Sequence, residues 1–304
     1  MTSVILNRKI IEELLKKKTN LELVKEKITS LGTPLEDLTK DDIIIEVFPN
    51  RPDLLSEQGF SRALNYFLGY TKGLKNYQAK KSNYKVIVDK SVNKVRPYTT
   101  FFLVKDIKFD NEKIIEIVNI QEKLHLTFCR NRKKASIGIY PSEKINLPIY
   151  YKLMPKEKIV FQPLEFSRKM QAQEILAKNE NGKKYAHLLD NLNEYPVFID
   201  AKNNIMSLVP IINSNETGKI TQKTKEFFVE CTGTQLNTVN LLSNILATTF
   251  IDMGGEVYSM QIKYGNKVLI TPNLKTYEMK IDLANVNKLL GLNLKENDIK
   301  IYLE

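Results

Sequence analysis

Between Tyr84 and Ile270 the sequence carries eight short strand-like runs, "YKVIVD", "TTFFLVKDI", "KASIGIY", "KIVFQPL", "YPVFID", "IMSLVPII", "EFFVECTG" and "EVYSMQIKY", against only three helical stretches. The helical stretches are "NEKIIEIVNIQEKLHLTFCR", "SRKMQAQEILAKN" and "TQLNTVNLLSNILATTFIDMG", in which apolar residues recur at three and four spacings. A doubly wound parallel sheet needs a crossover, usually a helix, between successive strands. The shortage of helices therefore predicts an α+β fold built on a mixed sheet. No internal repeat is present.

Residues 1–78 read as a small N-terminal α/β unit. "TSVILN" predicts a strand, "RKIIEELLKKK" and "LELVKEKITSLG" two amphipathic helices, the second closed by Gly32, "DDIIIEVFP" a strand ending at Pro49, and "SEQGFSRALNYFLGY" a further helix. The lysine-rich "TKGLKNYQAKKSN" marks a soft boundary with the mixed-sheet domain, taken as residues 79–272. Residues 273–304, "NLKTYEMKIDLANVNKLLGLNLKENDIKIYLE", read as a strand, a helix and the start of a further piece. They predict the beginning of another domain, truncated or split.

A chain of 304 residues is long enough for two cores. It has no apolar run near the eighteen residues of a membrane span, and its first ten residues lack a secretory signal pattern. Cys129 and Cys231 are the only cysteines, so neither a disulfide framework nor a thiolate metal cluster is expected, and the compartment is expected to be reducing and cytoplasmic. Lys plus Arg number 46 against 35 Asp plus Glu, a net +11 that favours a polyanionic partner without specifying a sequence.

Few residues carry recognisable chemistry. Two histidines far apart, with no HExxH and no paired cysteines, make no zinc centre, and neither GxxxxGK nor GxGxxG is present. The serine signature GxSxG is absent too, and SxxK carries little weight without its companions. His125, in "EKLHLTFC", and His187, in "KKYAHLL", read as structural. In "EVFPNRPDLLSEQGFSRAL" the two prolines stiffen a strand-to-helix corner around Asn50, Arg51, Pro52 and Asp53, with Ser56 as helix cap and Gly59 allowing close packing. That corner is either a structural Arg-Asp brace or a substrate contact. In "RNRKKASIGIY" Arg130, Arg132, Lys133 and Lys134 either contact phosphates or solvate a helix end.

The remaining candidate is "PIINSNETGKITQKTKEFFVECTGT", residues 210–234. Asn213, Ser214 and Thr217 follow one strand; Thr232, Gly233 and Thr234 end another that carries Glu230. If the strands are neighbours, both polar corners open at one sheet edge and offer hydroxyls, an amide and backbone N–H groups to a small polar ligand. Alternatively Ser214 and Thr234 only cap helices.

These residues bring a resemblance into view. "NRPDLLSEQGFSRAL", the "RPY" at Arg96 to Tyr98, "IQEKLHLTFCRNRKKASIGIY" and "KKYAHLLDNLNEYPVFIDAKNNIMSLVPIINSNETGKITQKTKEFFVECTGT" resemble, in order and over nearly the whole chain, the N-terminal portion of the phenylalanine-tRNA ligase beta subunit of archaeal and eukaryotic type. The resemblance implies part of a cytoplasmic heterotetrameric ligase for protein biosynthesis. Its alpha subunit carries the aminoacylation site and uses ATP and Mg2+, with no cofactor bound by this chain. It implies alpha subunit and tRNA(Phe) as partners, and an editing domain that hydrolyses tyrosine wrongly attached to that tRNA. Editing by a positioned water would place binding groups and oxyanion donors among Asn213, Ser214, Thr217 and Thr232 to Thr234, with Glu230 on the tyrosine hydroxyl or the amino group.

The chain departs from the family pattern at Cys129, where the family usually has Gly, at Tyr140-Pro141, where it has His-Asp, and at Cys231, where a Thr or similar small residue is usual. The family's beta subunit also continues well beyond the last residues here, so a second polypeptide supplying the rest is a possible partner. Two alternatives stay open: a structural, tRNA-binding piece that has lost editing, and a free-standing hydrolase acting in trans.

Overall fold

The structure, a computed structural model, describes residues 2–303. Strand β1 (Thr2–Asn7) leads through helices α1 (Arg8–Leu14) and α2 (Lys25–Ser30) to β2 (Leu35–Leu38) and β3 (Asp42–Val47), an antiparallel sheet in the order β1-β3-β2. β3 buries every second residue, Ile43, Ile45 and Val47, as a strand with one wet face must. The corner into α3 (Glu57–Phe67) is the Arg-Asp brace. Arg51 Nε and Nη2 donate to Asp53 at 3.0 and 2.8 Å, and Ser56 Oγ caps the helix by accepting from Gly59 N–H at 3.1 Å. A Cβ on Gly59 would collide with the Asp53 carbonyl, so the approach of corner to helix requires glycine.

The second sheet has ten strands. β4 (Lys85–Val88), β5 (Tyr98–Lys105), helix α4 (Asn111–Leu126), β6 (Ala135–Pro141) and β7 (Ile149–Pro155) come first. A small ribbon of β8 (Val160–Phe161) and β9 (Met170–Gln171) with helices α5 (Ala172–Lys178) and α6 (Glu180–Tyr185) intervenes. Then follow β10 (Glu194–Ile199), β11 (Ile205–Leu208), β12 (Ile212–Asn213), α7 (Asn215–Gly218), β13 (Phe227–Gly233), α8 (Leu236–Asp252), β14 (Glu256–Tyr264) and β15 (Lys267–Thr271). The order is β12-β11-β10-β7-β4-β14-β5-β13-β6, with β15 also on β14. β4 runs parallel to both β14 and β7 while the other pairs are antiparallel, so the sheet is mixed, as expected.

Period-two alternation sends the side chains of the central strands into two separate cores. Phe102, Val104, Ile137, Ile139, Phe227, Val229 and Cys231 face outward into a cluster with α4 and α8, which is continuous with Ile43, Phe60 and Leu64 of the first unit. Phe101, Leu103, Tyr140 and Phe228 face inward, with Phe198 and Met206. A third cluster packs α5 and α6 against β10 and β11.

Several elements differ from expectation. β7, in "PIYYKLMP", is a strand outside the eight expected runs, with Pro148 just before it and Pro155 as its last residue, where a missing N–H is tolerated. β2, "LEDL", has poor strand formers and survives as an edge. β15 follows a two-residue Gly265-Asn266 turn, with Tyr264 opposite Lys267. "KIVFQPL" yields only the two residues of β8, and Met170 and Gln171 before α5 are strand rather than helix. In the last segment residues 274–281 take no regular structure, followed by helices α9 (Leu283–Leu290) and α10 (Glu296–Leu303).

Candidate functional site

The large sheet curls until its end strands face each other, and the seam is closed by side chains instead of a backbone ladder. Asn213 Nδ2 on β12 donates to the Ile139 carbonyl on β6 at 3.2 Å, and the Tyr140 hydroxyl lies 2.9 Å from Ser207 Oγ on β11. The free edge of β6 is satisfied from α4. His125 Nε2 accepts from Ile137 N–H at 2.8 Å, and Gln121 Nε2 donates to the Ile137 carbonyl at 3.0 Å. His125 therefore carries its proton on Nδ1, 3.1 Å from Glu122 Oε1. Burial lowers the imidazole to about 4, which keeps it neutral, and the His125 hydrogen bond and the Arg132 charge hold Glu122 down to about 2.

A cavity of about 240 Å3 lies at the seam, lined among others by Glu230, Arg132, Ser136, Ser207, Asn213 and Glu122. Glu230 sits opposite Gly138 of β6 and Phe101 of β5, and strand alternation turns it inward, where it is 3% exposed. Its Oε2 is 3.3 Å from the Tyr140 hydroxyl; its Oε1 is buried without a hydrogen-bond partner among the described residues. Burial pushes the carboxyl up to about 7, against the pull of Thr232, the Arg96 charge and Tyr140. A Cβ on Gly138 would strike both Glu230 Oε2 and the Tyr140 hydroxyl, so this glycine makes room for the carboxyl.

One buried arginine, Arg132, lines the cavity, and a second, Arg96, braces the strands behind it. Arg132 Nη1 donates to the Ile211 carbonyl at 2.8 Å and the Pro210 carbonyl at 3.3 Å, Nη2 reaches Glu122 at 3.1 Å, and the guanidinium lies over the Tyr185 ring at 4.3 Å. Arg96 Nη2 donates to the Arg132 carbonyl at 3.1 Å, the Thr232 carbonyl at 3.0 Å and Ser136 Oγ at 3.1 Å, tying the turn before β6 to the end of β13. Burial lowers the Arg96 pKa.

The structure brings only some of the expected residues together. Asn213 and Glu230 line the cavity. Ser214 is occupied as the cap of α7, accepting from Glu216 N–H, and buried Thr217 donates to the Met206 carbonyl at 3.4 Å. Thr232 is held by Arg96 and Ser136, and Gly233 allows the close approach of the Lys134 carbonyl. Thr234 is exposed, its N–H bonded to the Lys134 carbonyl at 3.0 Å. The four basic residues divide: Arg132 is buried, Arg130 and Lys133 are exposed and Lys134 is half-buried. Asn50 is exposed on the braced corner. Sequence reasoning missed Ser136, Gly138 and Ser207. The signal was present in "ASIGIY" and "FFVECTG", where Ser136, Gly138, Glu230 and Thr232 fall on one face of strands buried on both sides. Among the described residues no three His, Cys, Asp or Glu gather to hold a metal ion, and no helix is long and apolar enough to cross a membrane.

The chain is 40% identical over 278 residues to the phenylalanine-tRNA ligase beta subunit of Archaeoglobus fulgidus, covering 91% of this chain and 50% of that protein. It is 39% identical over 255 residues to the beta subunit of Thermococcus onnurineus, covering 84% and 44%. The crystal structure of an N-terminal fragment of the phenylalanyl-tRNA synthetase beta-subunit from Pyrococcus horikoshii matches with a TM-score of 0.93 at 34% identity, covering 98% of this chain and 87% of that one. No family model matches. The chain spans about half the length of the curated relatives it matches. Fold and likeness together define a subunit of the aminoacyl-tRNA ligase class. Within it, the chain belongs to the archaeal-type phenylalanine-tRNA ligase beta-subunit family and corresponds to its N-terminal region.

Proposed function

We propose that the chain contributes editing and tRNA contact to a cytoplasmic phenylalanine-tRNA ligase, hydrolysing tyrosine wrongly esterified to tRNA(Phe). It works with an alpha subunit that carries the ATP- and Mg2+-dependent synthetic site. The observation that carries this reading is the buried, unpartnered Oε1 of Glu230 in a cavity of about 240 Å3. That volume lies below the roughly 300–1,000 Å3 of pockets for drug-sized ligands and suits an amino-acid side chain. A tyrosine hydroxyl donates to Oε1, whereas phenylalanine leaves it orphaned. A site built to pair a hydroxyl rejects the analogue lacking it by roughly 10⁴ to 10⁵.

Glu230 is the reader of the side chain, and the nucleophile is water. Ser136, Ser207 and Thr232 are engaged by Arg96, Tyr140 and each other, which leaves them poor nucleophiles. Water adds to the ester carbonyl, the bond to the ribose oxygen breaks, and tyrosine leaves as the free acid with the ribose hydroxyl restored. Asn213 and backbone N–H groups at the seam are the candidates for orienting that water and the oxyanion. A second reading, a tRNA-binding scaffold without hydrolysis, draws support from Tyr140, which engages the other carboxylate oxygen.

The test is tyrosine release from Tyr-tRNA(Phe) by the assembled ligase. Glu230→Ala is expected to slow release on the order of 100-fold, the scale of one buried charge-assisted hydrogen bond. Wild-type rates in that variant would remove the reading, and an inactive wild type would leave the scaffold.

A further inference from the structure

A second hollow lies on the other side of the turn that carries Arg132. It measures about 220 Å3 and is lined by Phe48, Pro49 and Pro52 of the braced corner and by Phe128, Arg130 and Lys134 of the turn after α4. Its floor is apolar and includes two half-buried aromatic rings; its rim is cationic. No ion-pair partner engages Arg130 or Lys134 among the described residues, while Arg51 nearby is neutralised by Asp53.

The turn itself is unusual. Arg130, Asn131 and Arg132 have φ of 49, 52 and 63°, three successive non-glycine residues in the left-handed region. L-residues enter that region reluctantly, and glycine would fill it without strain. The conformation places Arg132 in the Glu230 cavity and Arg130 in the apolar hollow, so one strained turn serves both.

We propose that the hollow is a subsite for one unpaired nucleotide of the RNA strand whose aminoacylated end enters the Glu230 cavity. The base stacks on Phe48 and Phe128, and its phosphate pairs with Arg130 and Lys134. Aromatic rings accept any base face, and paired cations track the backbone, which is how unpaired strands are held without sequence preference. The proposal rests on the editing reading for the path of the strand, but the hollow's affinity for RNA is measurable without it.

The experiment uses the full chain and a short fluorescein-labelled single-stranded RNA carrying 5-iodouridine, followed by anisotropy and then photo-crosslinking. Arg130→Gly is expected to weaken binding about tenfold and to lower the salt slope by about one. Because glycine relieves the left-handed backbone, its Tm should rise, which separates lost contact from lost folding. Phe128→Ala should also weaken binding, and Arg130→Gly with Lys134→Ala more than either single change. Crosslinks should map to residues 47–55 and 127–134. Unchanged affinity in Arg130→Gly, crosslinks confined to other peptides, or no binding by wild type overturns the subsite. If crosslinks map as expected while wild-type ligase releases no tyrosine, the editing reading and the path into the Glu230 cavity fall, and the hollow stands as a nucleotide subsite alone.

Discussion

The two faces of β13 are both buried, yet they do opposite things. Outward, Phe227, Val229 and Cys231 enter a dry core in which the Phe227 ring meets Phe250 and Phe109 edge to face at 5.2 and 5.4 Å. Inward, Glu230 and Thr232 share a face with Phe228, and a carboxyl stands there with one oxygen unpaired. The same seven residues thus supply stability on one side and carry a destabilising group on the other. The outward face is what folding alone would select; the inward face mixes the apolar Phe228 with a buried carboxyl, which is the feature on which the editing proposal rests.

Substitutions on the two faces sharpen that contrast. The largest stability effect belongs to Phe227→Ala, expected to cost about 3–5 kcal/mol in denaturant unfolding. A cost below about 1 kcal/mol would mean that the outward face is not the stabilising one. Next comes Glu230→Gln. The native carboxyl titrates near 7 and the unfolded one near its usual 4.5, so the folded state holds a proton that the unfolded state has lost between those values. Wild-type stability therefore falls as pH rises from about 4.5 to 7, by on the order of 3 kcal/mol. Glutamine does not ionise, so the variant's advantage should grow over that window and level off above it, while tyrosine release slows by less than in Glu230→Ala because the amide oxygen still accepts. An advantage that stays flat between pH 5 and 8 contradicts a buried, neutral-leaning Glu230. The smallest effect is Gly138→Ala, about 1–3 kcal/mol for forcing a methyl against Glu230 and Tyr140, with slower tyrosine release. Wild-type stability and rate in that variant would show that the carboxyl is free to move aside.

Much of this was legible in the sequence. The alternation in "DDIIIEVFP", the N-cap Ser56 and the Arg51-Asp53 brace read directly, because each is settled by neighbours a few residues away. Asn213 and Glu230 were also reached, as parts of two polar corners. What failed to show was how those corners are used. Ser214 and Thr217 are consumed by a helix cap and a carbonyl, and Thr234 lies exposed beyond the strand end, outside the cavity lining. Strands buried on both faces hide their period, so Gly138 looked like one apolar run with its neighbours. Nor does "RNR" announce a left-handed turn, since no glycine marks it; burial of Arg132 between exposed Asn131 and Lys133 depends on Pro210 and Ile211, far along the chain.

The guarded edge of β6 has a consequence for aggregation. An edge strand with open amides is a template for a second chain, and here one amide is closed by the lone pair of a neutral histidine. Acid takes that lone pair away. As pH falls from about 6.5 through 4 the His125 ring, whose folded pKa is the lower of the two states, gains a proton at the expense of the fold, and Ile137 N–H loses its acceptor. Acid therefore loosens α4 from β6, and light scattering by this protein should rise only in the pH range where α4 also detaches.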